Sequence, residues 1–425
     1  MLLNNRYLVN TLKVVFKSFT FYILLIPFVS ADDYHYNNML IGDRASGLAG
    51  AYSAIADDPS GLYYNPAGIV YATTSNISAN MNAFNISQTK YKKVLGGQDW
   101  VRTSSALVPN FFGITQPLGS GSLGFSYTVT DSTLEDQDQT FNDIPSAGTK
   151  FTINFNNQDT TNNVGPSYAK KITDNFSVGL TLYGYYRTQE QIFSQSFDFP
   201  ASEDDKYHWE NIYTSLTEIG VKPIFGMMYT PVEKISLGLT LTQTVLLHSD
   251  YKIQMSCATT YIDTAVQGAL CQPSAFNRII STNNEKRDFP FTINLGAAYF
   301  ANNKLLLTSS AWIYEAINKT SSPLVNVAAG LEYYISGKLA IRMGGFTNFA
   351  NTPKLTPKAI NEYNEHINII GGTMSFTHFT RASSISFGAA ATLGEGDAQV
   401  IGGATTIQEV EYMGASIFIS ASNSF

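Results

Sequence analysis

Charge is scarce in this 425-residue chain. Asp, Glu, Lys and Arg together make up 14%, against roughly a quarter in soluble domains. A soluble protein of this length needs more charge to cover its surface; a surface that faces lipid does not. Cations are fewer than anions, 26 Lys and Arg against 33 Asp and Glu, and Arg6, Lys13 and Lys17 fall in a leader-like start. Without those three the net charge is about −10, which excludes a phosphate-backbone partner, so no nucleic acid is expected. No apolar run reaches the ~20 residues of a membrane-spanning helix. Catalytic signatures are missing too. The five His stand apart at 35, 208, 248, 366 and 378, and there is no G-x-S-x-G, H-E-x-x-H or phosphate-binding loop. No enzymatic activity, cofactor or metal is expected. Cysteine is nearly absent. Cys257 and Cys271 lack a metal-ligand spacing, and in an oxidising compartment they read as one disulfide closing a loop, a stabilisation of about 3 kcal/mol in the chain-entropy treatment.

What is present begins with an export signal. After the three cations comes the apolar stretch from Phe19 to Val29, followed by Val29-Ser30-Ala31. Residues 1–31 are therefore expected to be a cleaved signal peptide, leaving periplasm, outer membrane or exterior as destinations. Aromatic residues are abundant, at 13%. From about residue 73 the apolar residues recur with a period of two: Leu123, Phe125, Tyr127, Val129; Ile235, Leu237, Leu239, Leu241; Phe289, Phe291, Ile293, Leu295; Ile385, Phe387, Ala389, Ala391. That is the two-faced pattern of a strand, one face apolar and the other small and polar.

A soluble sandwich shares this alternation, but connection lengths decide against it. Short turns near 173–175, 231–234, 302–304 and 337–338 alternate with long polar stretches near 132–160, 190–211, 251–286, 350–365 and 394–409. Outer-membrane barrels have short turns at one rim and long loops at the other. The expected fold is all-β: a transmembrane antiparallel β-barrel of about fourteen strands, residues 73–425. Strands begin near 73, 104, 122, 161, 176, 215, 235, 287, 305, 325, 339, 366, 384 and 410. For the fourth strand, 148–158 competes with 161–171. Counting back in twos from Phe425 gives Asn423, Ala421, Ile419 and Ile417, similar to the terminal signal read by the barrel-assembly machinery.

Residues 32–72 break the alternation. Ala and Gly dominate, Asp57-Asp58-Pro59 interrupts, and Tyr63-Tyr64-Asn65-Pro66-Ala67-Gly68 reads as a turn capped by Asn65 and stiffened by Pro66, with Gly68 letting the chain leave. Ser46-Gly47-Leu48, Ala51-Tyr52-Ser53, Ala54-Ile55-Ala56-Asp57-Asp58 and Asn65-Pro66-Ala67 resemble, in order and spacing, the N-terminal hatch of the long-chain fatty-acid outer-membrane transporters, the FadL-like family. The resemblance implies a fourteen-stranded barrel plugged by a small helical hatch, 32–72. It implies passive uptake of hydrophobic molecules, a hatch that shifts, and sideways exit at a kink in the third strand. Gly124 is the candidate for that kink; it also reads as a small lumen-facing residue without one. Asn65, Pro66 and Ala67 would fix the hatch to the wall while the upstream segment moves.

A lipid path needs apolar residues on the lumen phase, where a water-filled porin is polar. That phase offers Tyr183, Tyr185, Ile224, Met228, Phe300, Trp312, Tyr334, Phe346 and Phe418, with the charges Arg187, Lys222, Glu332 and Arg342. Met374 and Phe376 join them only if Thr373, Ser375 and Thr377 face lipid. The aromatic residues either bind cargo or pack the hatch. A cation either holds a carboxylate or pairs with hatch acids such as Asp57 and Asp58. The expected partners are outer-membrane lipid, hydrophobic small molecules such as long-chain fatty acids, and the assembly machinery. The alternative is a structural or interaction barrel, a surface anchor or secretion partner with no transport role.

Overall fold

The period-two alternation becomes sixteen strand segments in one antiparallel sheet. They are β1 Asn76–Leu95, β2 Gln98–Leu118, β3 Gly121–Ile144, β4 Gly148–Thr173, β5 Phe176–Asp198, β6 Tyr207–Val232, β7 Ile235–Thr242 and β8 Val245–Thr259. Then follow β9 Asn277–Asn283, β10 Thr292–Asn302, β11 Leu305–Tyr314, β12 Leu324–Ser336, β13 Leu339–Asn348, β14 Glu365–Phe379, β15 Ser383–Ala398 and β16 Gln408–Ser424. These belong to a computed structural model that describes residues 35–36, 38–72, 74–144, 148–198, 207–260, 277–316, 323–358, 365–400 and 405–425. The leader, 1–31, lies outside the described residues.

The sheet closes on itself. β1 pairs with β16, and β5 with β6. β7 and β8 pair with successive parts of β6, and so form one wall strand interrupted after Thr242. β10 pairs with β7, while β9 continues the same line by pairing with β8. Counted in this way the barrel has fourteen wall strands, and closure gives every one of them a neighbour on both sides. Leu180, Leu182, Phe225, Leu237, Leu295 and Phe387 are exposed on the outer face, while Thr181, Thr240, Asn294 and Ser386 are buried within. Thr373, Ser375 and Thr377 are buried and Met374 and Phe376 exposed, so the polar run is the lumen phase.

Two expectations are corrected. Much of 132–160 and 190–211 is strand. β3, β4, β5 and β6 span 24, 26, 23 and 26 residues, over twice the ~9–11 that a tilted strand needs to cross a bilayer. Both readings of the fourth strand lie within β4. The polar composition of these stretches reports water on the outer face beyond the membrane. On the inner face Phe141, Phe151 and Phe197 stand directly opposite one another and stack. Second, residues 284–291 carry no strand pairing, and Phe289, expected to face lipid, points into the lumen instead.

The segment before β1 fills the lower lumen. It contains α1 Asp43–Gly47, α2 Gly61–Tyr64 and a 3-10 helix Pro66–Tyr71. Wall hydroxyls and amides hold its carbonyls: Asn80 donates to Gly42, Thr308 to Ala51, Thr181 to Leu62, Ser177 to Ala67 and Thr373 to Gly47, at 2.7–3.0 Å. These short helices leave most carbonyls unpaired, so the wall supplies what a longer helix would supply itself. Asn65 caps the 3-10 helix by accepting from the Ala67 N–H (3.1 Å), and its Nδ2 donates to the carbonyls of Ser53 (2.7 Å) and of Met227 on β6 (2.9 Å). The Asn-Pro turn lies directly on wall backbone: a Cβ on Gly179 would come within 2.5 Å of Pro66. Gly68 does not release the chain; it sits inside the 3-10 helix against the Ala56 carbonyl.

An ion network completes the anchorage. Arg44 makes a paired contact to Glu332 (2.8 Å on each nitrogen) and reaches Asp57 (2.9 Å). Arg342 also donates to Glu332 (2.6 Å) and lies 3.4 Å from Asp43, which accepts from Ser420 (2.7 Å). Burial lifts the Asp58 carboxyl to about 6, against the bonds donated by Ser60 and with Asp57 and Asp43 adding to the rise.

Candidate functional site

The first part of the 32–72 segment runs across the lumen as a strap, seen in His35, Tyr36 and the residues from Asn38 to Ile41. His35 Nε2 meets the Ile367 carbonyl (2.7 Å). Tyr36 stacks on Tyr314 at 4.5 Å and accepts from Asn351. Asn38 donates to Asp131 (3.0 Å) and accepts from Asn348 (3.1 Å), and the Leu40 carbonyl accepts from Asn110 (2.6 Å). The strap thus ties β13 and β14 to β2 and β3. His35, Asn38, Met39 and Leu40 line two cavities, one on either side of it.

The first cavity, about 190 Å³, is largely aromatic: Tyr36, Tyr63, Tyr64, Tyr185, Phe289, Trp312, Tyr314 and Phe346 border it. The hatch contributes Ala49, Gly50, Tyr63 and Tyr64 to its lining. Tyr63 and Tyr64 stand edge to face at 5.2 Å, and the Tyr64 hydroxyl accepts from the Ile41 N–H (3.2 Å). Three cations border this chamber. Arg187 is held by Asp159 (2.6 Å) and Arg287 by Glu218 (2.8 Å), and Arg287 also stacks on Phe289 at 4.4 Å. Lys222 differs. Its ammonium lies over the Tyr63 ring at 5.1 Å, and among the described residues no acid pairs with it. The expected pairing of Lys222 with hatch acids is therefore not found. Arg342 does pair with a hatch acid, though with Asp43 rather than Asp57 or Asp58.

The wall beside the strap loses part of its backbone ladder, while Val108 and Val129 stay buried in the hydrophobic cluster at the hatch. β2 and β3 pair from Leu118/Gly121 to Phe111/Thr128 and next only at Ser104/Glu135. Residues 105–110 and 129–134 have no backbone pairing with each other. Three bulges lie at this level: Ala83 in β1, Asn110 in β2 and Thr130 in β3 are the extra residues. Bulges bend a strand and end pairing, and Pro109 has no N–H to donate to a ladder. Beyond Ser104, glutamine side chains replace the ladder: Gln139 accepts from the Val101 N–H (3.1 Å) and Gln137 from that of Thr103 (2.6 Å). Asn110 and Asp131, which hold the strap, belong to the two strands of this unpaired stretch.

Gly124 is not in this stretch. It is paired on both sides without a register shift, and its missing Cβ makes room for Leu62 of the hatch. Of the two readings, the small lumen-facing residue is the one found. The remaining lumen residues divide by height. Tyr185, Arg187, Lys222, Ile224, Trp312 and Phe346 border the aromatic chamber; Phe346 and Phe418 border the second. Tyr183 and Met228 are buried at other lumen positions, Tyr183 bonding Ser126 (2.6 Å). Phe300 and Tyr334 lie close to the short-turn rim and border neither chamber. Tyr36, Met39, Tyr314, Asn110 and Asp131 were not legible as site residues, because the strap's path across the lumen has no periodic signal. Cys257 is buried in β8, and Cys271 lies outside the described residues.

No protein-family model and no curated protein matches the chain. Solved structures do. A FadL homologue from Pseudomonas aeruginosa superposes with a TM-score of 0.65 over 92% of this chain and 100% of that one, at 16% identity. The chain has the FadL-like fold. The toluene transporter TodX from P. putida gives 0.63 at 12% identity over 92% and 99% of the two chains. The toluene transporter TbuX from Ralstonia pickettii gives 0.59 at 11% over the same shares. At these identities the likeness concerns the FadL-like architecture.

Proposed function

We propose that this chain is a passive outer-membrane transporter of hydrophobic compounds, with the strap rather than the hatch as its moving part. The observation that carries the reading is the aromatic chamber between anchored hatch and strap, beside a stretch of wall without backbone pairing whose two strands hold the strap. Cargo enters from the long-loop side, binds among Tyr36, Tyr63, Trp312 and Phe346, displaces the strap, and leaves sideways between β2 and β3. Each buried methylene contributes about 0.8 kcal/mol, so a long acyl chain binds without any strong single contact. Long-chain fatty acids are the proposed cargo because Lys222 is a chamber cation free to take a carboxylate in a charge-assisted hydrogen bond. A neutral aromatic hydrocarbon would leave it unused.

The rest of the reading follows the same course. Residues 1–31 are the cleaved leader, the 32–72 segment is the plug, the barrel is inserted by the assembly machinery, and Cys257 pairs with Cys271. Uptake of labelled oleate and labelled toluene by cells with and without the gene tests the proposal. Uptake of oleate that depends on the gene supports it. Equal uptake of both compounds, with no binding by the purified protein, contradicts it.

A further inference from the structure

The second cavity, about 180 Å³, has a different chemistry from the first. Asn82, Asn85 and Ser87 of β1, Thr133 of β3, Thr392 of β15 and Ser416 of β16 all border it. Asn82 is only 6% exposed. Among the described residues none of these six side chains makes a hydrogen bond to the protein, and none is a fully enclosed orphan, so their polar atoms are open to the cavity. Amides and hydroxyls in such a partly buried cavity gain from a ligand that supplies partners. The acids at this chamber are engaged: Glu135 with Arg102 (2.7 Å), Glu365 with Tyr91 (2.6 Å) and Asp131 with Asn38. They outnumber the one guanidinium, which disfavours a carboxylate here. Rings of Tyr91 and Tyr412, with Ile367 and Phe418, supply apolar surface beside the hydrogen-bonding groups.

Neither chamber alone reaches the ~300 Å³ at which pockets for drug-sized ligands begin. They share the strap as a wall. We propose, on the basis of the transport reading, that the second chamber is a head-group site for amphiphiles whose head is neutral and bears several hydroxyl or amide groups, with the apolar tail in the aromatic chamber. A site built to hydrogen-bond hydroxyls rejects analogues that lack them, because its own groups are then left unpaired.

The test uses the full-length protein in lipid nanodiscs and three probes of one chain length: dodecyl glucoside, dodecanoate and dodecyltrimethylammonium. The variants are Asn82→Leu and, as the conservative second, Thr392→Val. The expected result is a loss of glucoside affinity of about tenfold in Asn82→Leu and a smaller loss in Thr392→Val, with dodecanoate affinity within twofold of wild type in both. The inference is overturned if glucoside affinity is unchanged in both variants, or if dodecanoate or the ammonium probe loses as much. Wild type that binds dodecanoate but not glucoside removes this inference and leaves the transport reading standing. Wild type that binds none of the three removes both.

Discussion

The lower and upper lumen are built by opposite rules. Below, the hatch is fastened by wall side chains that hold its carbonyls, by a buried network of two arginines with Glu332 and Asp43, and by a turn seated on Gly179. Above, the strap crosses two cavities and is fastened by single hydrogen bonds, two between neutral groups and one from Asn38 to the Asp131 carboxylate, near an unpaired stretch of wall. Breaking a buried ion pair costs about 3–5 kcal/mol, whereas a neutral hydrogen bond contributes about 0.5–1.5 kcal/mol net. On these magnitudes the strap is the less firmly held of the two, as the proposed transport route requires. In a plugged barrel, what blocks the lumen and what gates it need not be the same segment.

Removing that difference should have the largest effect. A strap covalently fixed to the wall, through Asn38→Cys with Asp131→Cys under oxidation, should lower oleate uptake more than tenfold, and reductant should restore it. Next is the opposite change. Arg342→Met leaves Glu332 and Asp43 short of a partner, destabilising hatch docking by about 3 kcal/mol. Planar-bilayer recordings of that variant should show ion leakage absent from wild type, while the barrel keeps its heat-modifiable migration. Asn65→Ala should cost about 1–3 kcal/mol, since it strands the Ser53 and Met227 carbonyls, and should expose the hatch to protease. Smaller still is Lys222→Met, expected to weaken oleate binding about tenfold, roughly 1.4 kcal/mol, and to leave toluene binding unchanged. The slightest effect is that of pH. A carboxyl raised in the folded state favours folding below its unfolded pKa and loses that contribution as pH rises through the folded value. Through Asp58 the hatch should be better protected from hydrogen exchange at pH 5 than at pH 7.5, and Asp58→Asn should flatten the difference.

The barrel was legible because its periodicity is enforced by solvent. Lipid on one side and a polar lumen on the other dictate Ile235, Leu237, Leu239 and Leu241 against Ser236, Gly238, Thr240 and Thr242. Where the solvent changes, the pattern changes while the strand continues, which is why the outer half of β4 read as loop. Asn65-Pro66 was legible because capping is local. Its second function, donating to Ser53 and Met227, was not, since neither partner is near in sequence. A kink in the third strand was expected at Gly124, and none is there. A missing side chain signals close approach, here of Leu62, as readily as a bend. The stretch without backbone pairing coincides with three bulges and Pro109, and bulges are seen only once the register of neighbouring strands is known. Lys222 was recognised as a lumen cation, but its lack of an acidic partner depends on where every nearby acid points.

Spin-label distances can separate strap motion from hatch motion in one protein. One pair would join Asn38→Cys to Glu395→Cys, and the other Asp57→Cys to Lys338→Cys, each measured with and without oleate. A strap distance that shifts or broadens on oleate addition, with the hatch distance unchanged, is the predicted result. A hatch distance that changes while the strap stays fixed would contradict it.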